Sequence, residues 1–217
     1  MESHACPPDD RALPLRERKK LRTRRALADQ ALTLFTERGF DETTLDELVD
    51  AVEVSKRTFF RYFASKEDVA MAAEAELWDT YLDEVAAREI RGSVLAVLQE
   101  TLSATLLGMG EDWDRRFLAT RGLAARTPAL RDHSLLYSFD VQRRLVEVLE
   151  AKLGIDSRED VRLRLLSELS LSAWRCGARN WVRGLRHAPD WSGGRETLVR
   201  QVEETFDAIP ASLELSA

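Results

Sequence analysis

Residues 54–69 read VSKRTFFRYFASKEDV. Four rings (Phe59, Phe60, Tyr62 and Phe63) fall within five residues, laced with Lys56, Arg57, Arg61 and Lys66. That mixture suits recognition of nucleic acid. Arginine fits the major-groove edge of guanine, and threonine meets a thymine methyl. Tyr62 and Lys66 suit phosphate oxygens, which fix register without reading sequence. Lys66 also starts the next helix, where free amides attract an anion. Phe59 and Phe63 lie four apart on one helical face and are the core candidates. Each contributes about 1.5–3 kcal/mol on burial. Lys56, Arg57, Thr58, Arg61 and Tyr62 then face outward. Stacking on a single strand uses the same residue types, but helical spacing sends at least two of these rings inward.

A second basic stretch precedes this one. Residues 11–25 hold eight cations, among them Arg16, Lys19, Lys20 and Arg24, against one acid, Glu17. It is either a backbone-binding stripe or a solvated charged face. The net charge of −6 argues against a non-specific polyanion binder. The distribution says more: residues 1–66 carry net +1 and the remainder net −7. A short basic front on an acidic body suits a local anion contact.

Catalytic chemistry finds no support in the residue types. The three histidines are His4, His133 and His187. Asp132, His133 and Ser134 are adjacent, and neighbours on a helix do not face one another, so they form no triad. G-x-S-x-G, P-loop and H-E-x-x-H motifs are absent. No enzyme activity, cofactor or metal is expected. Cys6 and Cys176 lack ligand spacing and read as reduced thiols.

The elements that position the aromatic-basic segment are helical. Pro7, Pro8 and Pro14 mark residues 1–14 as a flexible tail. Leu27, Ala31, Leu34 and Phe35 form one stripe of a helix ending at Gly39. Thr44 and Glu47 have capping-box spacing, opening a short helix to Val52. Glu53 and Val54 form a tight turn before Ser55, the N-cap of a helix to Phe63. Ser65 and Asp68 open a fourth helix reaching Ala87. A short helix, a tight turn and a second short helix make a helix-turn-helix unit. Beyond it, the punctuation at Gly92-Ser93, 108–110, Thr127-Pro128, Gly154, Ser157–Asp160, 189–194 and Pro210 gives five more helices. The fold class expected is all-α, with nine helices and no strands. The domains are a helix-turn-helix domain over 15–66 and a second helical domain over 67–217. The chain of 217 residues has no apolar run long enough to cross a membrane and no signal-peptide pattern, so a cytoplasmic protein is expected.

Residues 16–69, RERKKLRTRRALADQALTLFTERGFDETTLDELVDAVEVSKRTFFRYFASKEDV, resemble the DNA-binding domain of TetR-type transcriptional regulators. The resemblance covers about a quarter of the chain; the helical remainder agrees only in size and helix count. It implies a homodimeric repressor on a palindromic double-stranded DNA operator, released by a small-molecule effector. The family's DNA-contacting positions fall on Thr44, Lys56, Arg57, Thr58, Phe60, Tyr62 and Lys66. Two positions depart from the pattern. Glu53 stands where the turn usually has glycine. Phe60 stands where tyrosine is common and lacks the hydroxyl for a phosphate, so packing stands beside DNA contact as a reading of its role. The RTFFRYF variant also resembles a subgroup with acyl-CoA-like ligands, a hydrophobic metabolite being the broader alternative.

The remainder should then hold a ligand and pair two subunits. Trp78, Leu82, Leu106, Trp113, Phe117, Arg121 and Tyr137 are the pocket candidates, with Arg121 as a polar anchor; ordinary core is their other use. Trp174 and Trp181 on one helix, and Leu198, Val202 and Phe206 on the last, give stripes for a four-helix dimer interface or for the chain's own core.

Overall fold

The computed structural model describes residues 14–187 and 194–216. The expectations for residues 1–13, Cys6 among them, and for 189–193 lie outside these. Ten helices and no strand occur among the described residues: α1 Leu15–Arg38, α2 Leu45–Ala51, α3 Lys56–Phe60, α4 Lys66–Ala70, α5 Ala72–Ala87, α6 Val94–Gly108, α7 Trp113–Arg126, α8 Pro128–Leu153, α9 Arg162–His187 and α10 Arg195–Ser212. The tenth arises because the helix expected over 65–87 is interrupted at Met71, whose backbone leaves helical dihedrals (φ −96°, ψ 12°).

Four other boundaries differ from expectation. α3 ends at Phe60, not Phe63, so residues 61–63 close the unit as turns. α9 begins at Arg162, where the Asp160 carboxylate accepts the Arg162 N–H at 3.0 Å, so Ser157 is not its cap. α9 also runs on through His187, up to the edge of the described residues. Pro210 lies inside α10 and does not stop it.

The chain forms two compact units. The first is Met1–Glu76 with Gly110–Leu135, and the second Leu77–Met109 with Leu136–Ala217. In the first, the stripe of Leu27, Ala31, Leu34 and Phe35 is buried together with Leu48, Val49, Phe59 and Phe63. α7 is fastened there by two buried donors: Trp113 Nε1 bonds to Ala73 O at 2.9 Å, and Thr120 Oγ1 to Ala70 O at 3.1 Å.

In the second unit α9 and α10 are the most extensively packed pair. They approach backbone to backbone at Gly177, where a Cβ would lie 2.8 Å from both Gln201 O and Val202 Cα. Backbone atoms cannot yield as a flexible side chain can. Gly177→Ala is therefore expected to force the helices apart at about 1–3 kcal/mol. The check is a lower urea midpoint with an unchanged m-value.

Candidate nucleic-acid interface

The helix-turn-helix rests on three side-chain caps. Thr44 Oγ1 accepts the Glu47 N–H at 3.2 Å, while Glu47 accepts the Thr44 N–H at 2.8 Å, completing the capping box. These bonds from Thr44 also hold the Glu47 carboxyl below its usual range. Ser55 Oγ accepts the Thr58 N–H at 3.1 Å. Ser65 Oγ accepts the Asp68 N–H at 3.0 Å, and the Asp68 carboxylate takes the N–H of Ala64 rather than that of Ser65. Each cap satisfies a donor that a helix of five to seven residues leaves exposed.

Between α2 and α3, Glu53 is the only described non-glycine residue with positive φ, at 55°. An L-residue held there loses about 1–2 kcal/mol relative to the right-handed region. Glu53→Gly is therefore expected to raise stability by about 1 kcal/mol, read as a higher melting temperature.

α3 divides its side chains as its spacing requires. Phe59 is fully buried and Phe63 nearly so. Phe60 is 54% exposed and meets Phe59 only edge-on, at 5.4 Å between centroids. Packing is therefore not its role: residue 60 is one position past Phe59 and points about a hundred degrees away on the helix. Lys56 and Arg57 are exposed and Thr58 half-buried. Lys56 pairs with Asp46 at 2.7 Å. Arg61 lies over the Tyr62 ring at 4.9 Å and donates from Nη2 to its hydroxyl at 3.0 Å.

A groove of about 730 Å³ brings Arg61 and Tyr62 together with Arg16, Lys19, Lys20 and Thr23 of α1. The upstream stripe and the aromatic-basic segment thus share one surface. Arg24 turns away from it and covers the Phe63 ring at 5.3 Å. Lys66 is committed inward as well. Its Nζ donates to Phe40 O at 2.7 Å and Thr43 O at 3.0 Å, and lies 4.1 Å from the Phe40 ring centre.

Sequence reasoning missed a charged cluster on α1 and α7. Arg25 Nη2 reaches both Asp112 oxygens at 2.5 Å, and Arg25 Nε reaches Asp29 at 3.1 and 3.2 Å. The hydrogen bond from Arg25 holds the Asp112 carboxyl below its usual range. The 87-residue separation of this pair left no local spacing to read.

The pocket candidates do not share one unit. Trp113 stacks on Phe117 at 4.9 Å in the first unit, both rings buried. Arg121 there pairs with buried Glu74 at 3.4 Å. Burial pushes the Glu74 carboxyl up, against the opposing effects of Arg121 and Ser134. Trp78, Leu82 and Leu106 are buried in the second unit, with Tyr137 half-buried. Trp78 is packed edge-on against Tyr81 and Trp174. A groove of about 750 Å³ in that unit, lined by Phe139, Val146, Ile155 and Arg164 among others, includes none of the seven.

The expected dimer stripe needs correction. Trp174, Trp181, Leu198, Val202 and Phe206 are all buried inside the chain. α9 and α10 consume these faces against each other and the core, so a partner can meet only their outer sides.

An all-helical chain with a capped helix-turn-helix and a basic, ring-bearing outer face is a helix-turn-helix DNA-binding protein. Comparison with known proteins agrees. Residues 27–73 match the family model for bacterial regulatory proteins of the tetR family. The chain is 34% identical over 186 residues to the HTH-type transcriptional regulator TcmR of Streptomyces glaucescens, covering 80% of this chain and 81% of that one. Its fold is similar to a TetR-family regulator from Syntrophomonas wolfei (TM-score 0.57, 16% identity, 88% and 96% of the two chains) and to the SmeT–triclosan complex (TM-score 0.53, 18% identity, 86% and 91%). The chain belongs to the TetR family of transcriptional regulators. No helix among the described residues is long and apolar enough to cross a membrane.

Proposed function

We propose that this regulator binds a palindromic operator as a homodimer and is released by a small hydrophobic or acyl-CoA-like effector. The observation that carries the DNA-binding half is the surface that α1 shares with Arg61 and Tyr62, just past the exposed side chains of α3. Exposed Arg57 and Phe60 with half-buried Thr58 suit base edges and thymine methyls. Arg16, Lys19, Lys20, Arg61 and Tyr62 around one groove suit phosphates. Lys56 contributes once Asp46 gives it up, which costs little for so exposed a pair. Thr44 acts through the cap that orients α2, and Lys66 through the carbonyls it holds. Arg24 supports α3 by covering Phe63.

Two copies pair through the outer sides of α9 and α10. Arg164, Arg175, Arg179 and Arg183 are exposed on α9 against one acid, Glu168, and Glu196, Glu204 and Asp207 on α10 against one cation, Arg200. A two-fold axis lets the basic side of one α9 meet the acidic side of the other α10. Reversing Arg175 and Arg179 to glutamate is expected to raise the dimer dissociation constant about ten-fold or more. Light scattering at graded concentrations reads this; an unchanged dimer mass across the series would refute the arrangement.

The effector part rests on family membership and on the fold relative SmeT, which is seen in complex with triclosan. Ligand and DNA must weaken each other by the same factor. Fluorescence anisotropy against the DNA flanking the chain's own gene, at two salt concentrations, tests the whole reading. Sequence-selective binding with a steep salt slope, relieved by an acyl-CoA or another hydrophobic compound, supports it. Selective binding that no such compound relieves would leave a constitutive DNA binder, and binding equal to scrambled DNA would refute an operator there.

A further inference from the structure

Asp112 stands between arginines of two different helices and serves one of them poorly. Arg25 of α1 reaches both of its oxygens. Arg116 of α7 places Nε 3.7 Å from Asp112 Oδ2, beyond hydrogen-bond reach. Arg115 is 3.6 Å from the same oxygen, but from a side chain 75% exposed. Arg116 is the one that matters, because its side chain is only 3% exposed. Its Nη1 meets Glu76 at 2.8 Å, while Nε and Nη2 have no hydrogen-bond partner. Donors of a buried guanidinium left unmet are strongly unfavourable.

The alternative arrangement leaves fewer donors unmet. A shift of Asp112 by about an ångström brings its carboxylate into hydrogen-bond range of Arg116 Nε. Arg25 then keeps Asp29 through Nε, and at 39% side-chain exposure water completes its shell. What is lost is the ion pair between Arg25 and Asp112, while Leu27 to Phe35 of α1 stay packed in the core with Leu123 and Ala124 of α7. One carboxylate with two claimants is a two-setting element. α1 carries Arg16, Lys19 and Lys20, so the setting decides how firmly that basic face is held beside Arg61 and Tyr62.

We infer that Asp112 is a positioning residue for DNA binding: held by Arg25 it fixes the basic N-terminal part of α1 in the binding arrangement, and taken over by Arg116 it frees that part. The inference rests on the DNA-binding reading given above.

Two readouts on the full chain test it, one independent of DNA. The first is amide hydrogen exchange of residues 15–25 without DNA; the second is the anisotropy titration. Arg116→Met removes the competitor. It is expected to slow exchange in that segment and tighten operator binding, each about five-fold. Asp112→Asn removes the tie and should do the opposite, about ten-fold. In the Asp112→Asn background, Arg116→Met should change neither. Arg116→Gln replaces Arg116→Met if that variant does not fold. Exchange and affinity both within two-fold of the parent after loss of Arg116, or faster exchange with weaker binding, would overturn the inference and make Arg116 an ordinary packed residue. Parent protein that ignores sequence would instead sink the regulator reading, and the exchange arm would still decide whether α1 has two settings.

Discussion

Lys66→Met lowers the unfolding free energy by about 3 kcal/mol and weakens operator binding about ten-fold, without changing the salt slope of that binding. The reason is where the ammonium sits. It donates to two carbonyls of the α1–α2 connection, Phe40 O and Thr43 O, and lies over the Phe40 ring. A hydrogen bond to a charged group contributes about 1.5–3 kcal/mol, and a cation over a ring about 0.5–2 kcal/mol. Methionine keeps the stem's bulk but leaves both carbonyls without this donor. The start of α2 loosens against α4, and α3 loses its mounting. A Lys66 bound to a DNA phosphate predicts something else: the slope of log K against log salt falls by about 0.9 for each phosphate no longer neutralised, with stability intact. Chemical denaturation and anisotropy at four salt concentrations separate the two.

Arg57→Ala weakens binding to the preferred sequence by about 1–3 kcal/mol per half-site and relaxes the preference at one base position. Arg57 lies in the first turn of α3, exposed, and among the described residues no partner within the chain holds its guanidinium. It is thus free to read a base edge, whereas Lys56 beside it is paired with Asp46. Its removal exposes no cavity, so the melting temperature should not move. Titration against single-base variants of the site is the measurement. Equal weakening on every variant would make Arg57 a phosphate contact, and unchanged affinity would turn α3 away from the groove altogether.

Much of the helix-turn-helix was legible in the sequence because its determinants are local. Thr44 with Glu47 and Ser55 with Thr58 close their caps within three residues. The 3.6-residue period separates Phe59 and Phe63 from Arg57 without reference to any other helix. Glu53 could be marked because the resembled family usually has glycine at this turn, and its φ of 55° is the conformation glycine favours. The same reasoning failed for Phe60, where a missing hydroxyl suggested packing although the period already pointed the ring outward.

What failed more broadly depended on which faces meet. A stripe of Trp174 and Trp181 is apolar whether it covers a core or a second subunit, and periodicity does not distinguish the two. The close passage of α10 at Gly177 decides for the core. Cations carry the same ambiguity. By itself the sequence determined the family, the all-helical class, the caps of the helix-turn-helix and the inward face of Phe59 and Phe63, largely through residues within about one helical turn of each other. Tertiary structure alone decided that Lys66 holds the chain's own carbonyls, that Asp112 lies between Arg25 and Arg116, and that the tryptophans of α9 are spent indoors. Those outcomes turn on distances between segments tens of residues apart, which no local spacing encodes.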